Sequence, residues 1–244
     1  MMYFPAKYPT GNWGSKTGIG AEDVWIREGL HGWFAKRPSR LVTLHLHGNA
    51  GNITHRLVSA AHILSAGSSV LLLDYRGYGR SAGRPTERGL YDDAEAAYEW
   101  LIAQGYTPEQ IIPHGESLGT AVATHLAVNR RCAGLILEAP FTSARAVAAK
   151  VLPLVGPALV WGYDTKSRIT RVRVPVLIVH GDEDEVIAYE FGEELFRAAP
   201  EPKSFWTIRG ATHNDLHIAG APEFTQRLKA FYGSLPQRVV DHTH

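Results

Sequence analysis

Cysteine is almost missing from this sequence, which has one, Cys132, among 244 residues. A single cysteine cannot form an internal disulfide and excludes a cysteine-rich metal site. The chain also lacks an excess of charge of either sign, because 25 Lys and Arg residues stand against 24 Asp and Glu residues. Without a basic stripe, binding to nucleic acid or to an anionic membrane has no electrostatic basis. We therefore expect no nucleic-acid partner and, from the scarce cysteine, a cytoplasmic location.

Long hydrophobic runs are absent as well. The most apolar stretch, residues 151–161, is interrupted by Pro153, Gly156 and Pro157 and is too short to span a bilayer. Residues 1–7 lack the apolar core of a signal peptide. These features predict no stable membrane anchor, while 45% apolar and 20% charged residues are ordinary for a globular protein with a large core.

Short apolar runs alternate along the chain with longer amphipathic segments. The runs predict strands at residues 41–46, 70–75, 111–112, 135–137, 176–179 and 204–208. The segments between and after them predict helices at residues 54–65, 87–103, 120–129, 189–198 and 223–232. Continuous apolar strands alternating with helices favour a single α/β domain over residues 1–244, with a mostly parallel, doubly wound sheet. Residues 24–27 and 33–35 are predicted to form an antiparallel hairpin at its entry.

One connection is unusually long. About thirty residues, from about 141 to 171, separate two predicted strands, and their content is helical and apolar. A connection of that length in a small domain usually has its own structure and purpose. We interpret it as a small helical lid over the carboxyl edge of the sheet; a plain crossover helix is the simpler alternative.

A serine in a glycine-flanked turn is the strongest chemical signal. The predicted strand at 111–112 is soon followed by Gly115-Glu116-Ser117-Leu118-Gly119 and then by a predicted helix. Such a strand-to-helix turn exposes a serine hydroxyl, and glycines permit close packing where the chain reverses. Ser117 is therefore the candidate nucleophile; the alternative is a serine in an ordinary turn.

A serine nucleophile needs a base to take its proton and a carboxylate to orient that base. His213 follows the last predicted strand, and an acidic loop follows the strand at 176–179. From the residues alone, the carboxylate is open between four neighbours and one residue at the end of an earlier strand, namely Asp182, Glu183, Asp184, Glu185 and Glu138.

Acyl transfer also needs two backbone N–H groups that point at the developing oxyanion. One is expected from Leu118, which follows the nucleophile. The other is expected from the glycine-containing loop after the strand at 41–46, where we select Asn49.

Five motifs of this chain resemble those of the α/β-hydrolase superfamily, and they span nearly its whole length. They are Leu46-His47-Gly48-Asn49-Ala50-Gly51-Asn52, Asp74-Tyr75-Arg76-Gly77-Tyr78-Gly79-Arg80-Ser81, Gly115-Glu116-Ser117-Leu118-Gly119, His180-Gly181-Asp182-Glu183-Asp184-Glu185-Val186-Ile187 and Gly210-Ala211-Thr212-His213-Asn214-Asp215. Within the superfamily they are similar to the branch of small bacterial esterases and eukaryotic depalmitoylating thioesterases. The resemblance implies the α/β-hydrolase fold and assigns the acid to Asp184 and the base to His213. The cysteine cluster of the lipid-anchored members is absent, so their anchoring does not carry over.

Parts of the sequence also suggest three other functions. Gly77, Gly79 and Gly83 imitate a dinucleotide-binding fingerprint, but their spacing is one residue too long and the expected acidic residue is missing. His47, His114 and His180 each end a predicted strand and could together hold zinc. Buried histidines bonded to backbone are the favoured explanation, because the serine, histidine and carboxylate already account for that edge. A catalytically silent binding module is the third, against which every catalytic position is filled.

The sequence therefore predicts a serine hydrolase that cleaves small carboxylic esters of short to medium acyl chains through an acyl-enzyme, without metal or other cofactor. An acyl-protein or acyl-CoA thioesterase is the main alternative, and an aminopeptidase-like amide hydrolase is less favoured. An apolar acyl pocket is expected from residues of the lid, namely Leu152, Leu154, Val155, Leu159 and Trp161.

Overall fold

The computed structural model describes residues 3–151 and 162–236 of the chain. Within these ranges the strands are β1 (Phe4–Pro5), β2 (Glu22–Arg27), β3 (Leu30–Ala35), β4 (Val42–Leu46), β5 (Ala50–Gly51), β6 (Ser69–Leu73), β7 (Ile111–Glu116), β8 (Leu135–Glu138), β9 (Val176–Gly181) and β10 (Lys203–Ile208). The α-helices of the same ranges are α1 (Leu57–Ser65), α2 (Glu87–Ala103), α3 (Leu118–Asn129), α4 (Ala144–Val151), α5 (Thr165–Ile169), α6 (Tyr189–Ala198), α7 (Leu216–Ala219) and α8 (Glu223–Ser234).

Most of the strands join in one sheet. In the described part of the chain its order is β10-β9-β8-β7-β4-β6-β3-β2. Every neighbouring pair from β10 to β6 is parallel, whereas β3 lies antiparallel to both β6 and β2. The predicted mostly parallel sheet and the predicted entry hairpin are therefore confirmed. The short strands β1 and β5 form a separate parallel pair beside it.

The central strands are covered on both faces. Every residue of β4 and β6 is buried, including the polar Thr43 and His45. Leu71 faces an apolar core shared with α2 and α3, and its neighbour Leu72 faces a second core shared with α1 and α8. Two cores on opposite faces are what a doubly wound sheet requires, and they explain why the strands are apolar without alternation.

Backbone hydrogen bonds join the two sides of the predicted lid segment, residues 141–171. The N–H of Ala144 donates to the carbonyl of Gly162, and the N–H of Thr165 donates to the carbonyl of Thr142. These bonds join the chain at the start of α4 to the chain at the start of α5. Residues 152–161 lie outside the described residues, so the role of the segment as a lid stays a prediction.

None of the helices within residues 3–151 and 162–236 is both long and apolar enough to cross a membrane.

Candidate active site

The parallel strands direct the sequence motifs to one edge of the sheet. β4, β7, β9 and β10 end at Leu46, Glu116, Gly181 and Ile208, immediately before the loops that carry the candidate residues. In a parallel sheet these carboxyl ends meet at the same edge, where α/β folds place their binding sites. The topology therefore brings Ser117, Asp184 and His213 within reach of one another.

Ser117, His213 and Asp184 form a continuous chain of hydrogen bonds. The Oγ of Ser117 lies 3.1 Å from Nε2 of His213, and Nδ1 of His213 lies 2.8 Å from Oδ2 of Asp184. A carboxylate can only accept, so Nδ1 carries the proton and Nε2 is left to accept the hydroxyl proton of Ser117. The side chain of Asp184 is fully buried, while His213 keeps 12% of its side chain exposed.

The turn at Ser117 is strained in the way that a nucleophile elbow requires. Ser117 has φ 50° and ψ −113°, which is unusual for a residue with a side chain. Its N–H donates to the carbonyl of Glu138 on the neighbouring strand, 2.9 Å away. A Cβ on Gly119 would collide with the carbonyl oxygen of Leu46, and one on Gly115 would collide with the carbonyl of Gly119. Glycine at both positions lets α3 pack directly against β4 and β7.

Three carboxylate side chains of the acidic loop after β9 bind the loop of His213. Asp182 accepts the N–H of Gly210 at 2.6 Å, and Glu185 accepts the backbone N–H of His213 at 3.2 Å. Asp184 alone of these accepts from the imidazole. The geometry thus separates carboxylates that the sequence left equivalent.

Asp184 is itself anchored by β9 and the loop that follows it. Its Oδ1 accepts the N–H groups of Val186 and Ile187 at 2.9 and 2.7 Å, and Nε2 of His180 lies 3.3 Å from its Oδ2. Burial raises the pKa of Asp184, but hydrogen bonds from His180 and His213, the charge of His213 and the N–H of Ile187 outweigh burial and lower it. Asp184 is therefore a carboxylate under ordinary conditions.

The loop after β4 passes directly against the serine. A Cβ built on Gly48 would lie 3.2 Å from Oε1 of Glu116 and 3.4 Å from Cβ of Ser117, so this loop is in van der Waals contact with the serine turn. The next residue, Asn49, has its carbonyl oxygen held by the hydroxyl of Tyr78 at 2.9 Å. Leu118 opens α3, where the first N–H groups have no acceptor within the helix and carry the positive end of its dipole. The role of Asn49 and Leu118 as oxyanion donors stays a prediction.

Comparison with known proteins places the chain in a family. The model described as "Serine aminopeptidase, S33", a hydrolase family, matches residues 37–164, which include Ser117. The chain belongs to the α/β-hydrolase family. This identification confirms the resemblance drawn from the five motifs.

Two relatives are similar to this chain over most of its length. An uncharacterised protein of Mycobacterium tuberculosis (strain H37Rv) is 39% identical over 240 residues, which cover 95% of this chain and 85% of that protein. Alpha/beta hydrolase domain-containing protein 17B of Homo sapiens is 35% identical over 201 residues, which cover 79% of this chain and 66% of the human protein.

Solved structures share the α/β-hydrolase fold at lower sequence identity. An esterase of Pyrococcus furiosus superimposes with a TM-score of 0.77 at 20% identity, covering 95% of this chain and 99% of the esterase. Est1E of Butyrivibrio proteoclasticus, solved with ferulic acid, gives a TM-score of 0.70 at 19% identity, covering 87% of this chain and 98% of Est1E. These likenesses establish the fold.

The three histidines considered for zinc have separate partners in this α/β-hydrolase. Nδ1 of His47 lies 2.7 Å from the carbonyl of Gly48, Nε2 of His114 lies 2.5 Å from Glu138, and Nε2 of His180 lies 3.0 Å from the carbonyl of Ile187. Burial, together with the charge of Arg56, lowers the pKa of His47 to about 4. Among the residues described, no group of three or more His, Cys, Asp or Glu side chains is arranged to hold a metal ion.

Several residues of this edge were not singled out by the sequence for the roles they have here. His180 supports Asp184, Tyr78 supports Asn49, and His217 reaches the buried Glu138. The position of His180 at the end of a predicted strand could have indicated that it lies near the site. Nothing in the sequence around His217 indicated a role for that residue. All five predicted pocket residues, Leu152, Leu154, Val155, Leu159 and Trp161, lie outside the described residues.

Proposed function

We propose that this α/β-hydrolase is a serine hydrolase that cleaves carboxylic esters of short to medium acyl chains through an acyl-enzyme. The observation that carries the proposal is the hydrogen-bonded chain from Ser117 through His213 to Asp184. The esterase among the solved structures of the same fold agrees with it.

The reaction follows from the proton positions. As the Oγ of Ser117 attacks the acyl carbonyl, its proton passes to Nε2 of His213, and Asp184 stabilises the resulting imidazolium. The N–H groups of Leu118 and Asn49 stabilise the oxyanion. His213 then returns the proton to the departing alcohol, which leaves Ser117 acylated. Water, deprotonated by His213, attacks the acyl-enzyme. The bond between the acyl carbon and Oγ then breaks, His213 returns the proton to Oγ of Ser117, and the carboxylic acid leaves.

The acyl pocket is proposed to lie under the segment 141–171. That connection is short for the walls of a long closed tunnel. Each buried methylene of a substrate contributes about 0.8 kcal/mol, so the gain in affinity should stop where the roof is reached. Short and medium acyl chains are therefore the expected substrates, and long-chain esters are expected to be poor ones.

A fluorophosphonate probe tests the nucleophile directly. We expect covalent labelling of Ser117 in the wild type, none in Ser117→Ala, and a fall in kcat of Ser117→Ala by about four to six orders of magnitude with the fold intact. Ser81, a buried serine in another loop, supplies the control because Ser81→Ala should keep the label. Substantial ester hydrolysis by Ser117→Ala would contradict the proposal.

A substrate panel then separates the ester from its alternatives. The ratio kcat/KM is measured for esters, thioesters and aminoacyl amides of increasing acyl length. We expect esters up to medium length to be preferred. A steady rise through palmitoyl thioesters would favour the thioesterase of the depalmitoylating branch, and a preference for aminoacyl amides would favour an aminopeptidase.

A further inference from the structure

A second carboxylate lies directly behind the candidate nucleophile. Glu138, the last residue of β8, is fully buried, and its backbone carbonyl accepts the N–H of Ser117 at 2.9 Å. Its side chain takes no part in the hydrogen-bonded chain, because His213 is bonded to Asp184. A buried carboxylate is costly to keep unless it is paired, so its partners require an explanation.

Two imidazoles compensate the charge of Glu138. Nε2 of His114 donates to Oε1 at 2.5 Å, and Nε2 of His217 lies 3.0 Å from Oε2. The second contact is an ion pair and not a well-aligned hydrogen bond. His114 precedes Ser117 by three residues and His217 follows His213 by four, so Glu138 connects the two loops of the site.

The pair of Glu138 and His217 carries opposite charges. Burial raises the pKa of Glu138, but the charges of His217 and His114, and the close contacts of both imidazoles with the carboxylate, outweigh burial and hold the pKa well below its usual range. Burial lowers the pKa of His217, but the charge of Glu138 outweighs it and the pKa is raised. Both ring nitrogens of His217 are shielded from solvent. The other titratable and charged groups around the pair are His45 of β4, Arg56 before α1, His62 of α1, His114 and Glu116 of β7, and Tyr232 of α8.

His217 is also fixed mechanically. Its ring packs 4.4 Å from the ring of Phe224 on α8 and stacks at 5.7 Å on His62 of α1. Nε2 of His62 donates to the carbonyl of His217 at 3.2 Å, which leaves Nδ1 of His62 to accept from Thr225 at 2.7 Å. α7 is a single turn of four residues, so its place depends on these contacts more than on its own helix.

We propose that Glu138 and His217 are positioning residues, whose buried ion pair holds the segment after His213 in register with Ser117. This role rests on the proposed function, because it places the base of the hydrolytic reaction. The 3.1 Å contact between Ser117 and His213 depends on the relative position of two loops, and the pair joins those loops from behind. A shift of the base by about 1 Å can cost about a hundredfold in rate.

The ion pair gives the rate a distinctive dependence on pH. Because the pKa of His217 is raised, the pair persists to a higher pH than an ordinary histidine would allow, and it is lost as the pH rises through that raised value. Glu138 stays ionised until strongly acidic conditions. The kcat of the wild type should therefore exceed that of a variant without the pair by a smaller factor at alkaline pH.

The test compares wild type, His217→Gln, Glu138→Gln and the double variant on p-nitrophenyl butyrate from pH 5 to 10. At neutral pH we expect kcat of each single variant to fall about 10- to 100-fold with little change in KM. The ratio of the wild-type kcat to the kcat of His217→Gln should approach one at alkaline pH. The double variant should lose no more than the worse single variant, because both changes remove the same interaction.

Leu228→Ala on α8 is the matched control, because it opens the same apolar face without touching the pair. Its kcat should keep the pH profile of the wild type at temperatures where it is folded. A wild-type to His217→Gln ratio that stays constant from pH 5 to 10, or the absence of any loss, would overturn the positioning role.

A second readout works without any turnover. The proton on Nδ1 of His213, bonded to Asp184, should give a low-field NMR resonance that is assigned by its loss in His213→Gln. The resonance should weaken or shift in His217→Gln and persist in Leu228→Ala. An unchanged resonance in His217→Gln would overturn the positioning role, whereas a wild type that hydrolyses no substrate would overturn only the proposed function.

Discussion

At the residue scale, the acidic loop shows where sequence reasoning reaches its limit. The spacing of this loop after a strand was sufficient to locate the acid, but four adjacent carboxylates were chemically equivalent. Their directions depend on the loop of His213, which lies 28 to 29 residues away in sequence and adjacent in space. Asp182 and Glu185 bind backbone N–H groups, and Asp184 binds the imidazole. Only the resemblance to a family could select Asp184 before the structure.

Replacing these carboxylates one at a time should therefore give unequal losses. Asp184→Asn should lower kcat by about three to four orders of magnitude, because an amide favours the wrong tautomer of His213. Asp182→Asn should lose much less, since its amide oxygen still accepts the N–H of Gly210. Steady-state kinetics on one ester at fixed pH is the measurement. Near-equal losses for Asp184→Asn, Asp182→Asn and Glu183→Gln would contradict the assignment.

At the element scale, helices with clear periodicity were predicted well. The helices predicted at residues 87–103 and 189–198 have those bounds in the structure. The helix predicted at 54–65 begins later, at Leu57, because the side chain of Asn52 accepts the N–H of Thr54 and a short 3-10 turn at Ile53–His55 comes first. α7 was missed, since four residues cannot show a period, and the pairing of β3 with β6 cannot be read from either strand alone.

The packing of α3 against the sheet predicts a sharp contrast between two glycines. Gly119→Ala should destabilise the fold by about 1–3 kcal/mol or more and abolish activity, because the new Cβ collides with the backbone of Leu46. Gly233→Ala, in the last turn of α8, meets nothing within 4 Å and should be neutral or slightly stabilising. Urea unfolding of both variants provides the measurement. A Gly119→Ala protein as stable and active as the wild type would show that α3 can move away from β4.

At the scale of the whole molecule, the fold was predictable because the order of strands and helices along the sequence determines it. Apolar strands alternating with helices define a parallel sheet, and a parallel sheet brings the loops after its strands to one edge. That rule alone was enough to predict that Ser117 and His213 lie together. The buried network of His114, Glu138 and His217 was not predictable, because its members are isolated in the sequence and meet only through tertiary packing.

The buried titratable groups together predict how stability depends on pH. The pKa is lowered by burial in four histidines, namely His45, His47, His62 and His125, whereas it is raised in His217. Because the pKa of these histidines is lower in the folded chain, they are protonated below about pH 6.5 in the unfolded chain while they are still neutral in the folded one. The free energy of unfolding therefore falls as the solution becomes acidic. Below about pH 4 the depressed pKa values of Asp184 and Glu138 act in the same direction. On the alkaline side, the contribution of His217 is lost as the pH rises through its raised pKa.

Stability should therefore be greatest near neutral pH and should decline between pH 6.5 and 4. The free energy of unfolding in urea, measured at half-unit steps from pH 4 to 9, tests this expectation. His125→Gln is a useful comparison, because His125 is half-buried on α3 outside the hydrogen-bonded chain and burial, with the charges of Arg168 and Arg88, lowers its pKa to about 4. The variant should show a shallower acid slope than the wild type, since one group that binds protons only when unfolded has been removed. A free energy of unfolding that rises on acidification from pH 7 to 5 would mean that His217 outweighs the four histidines with lowered pKa values.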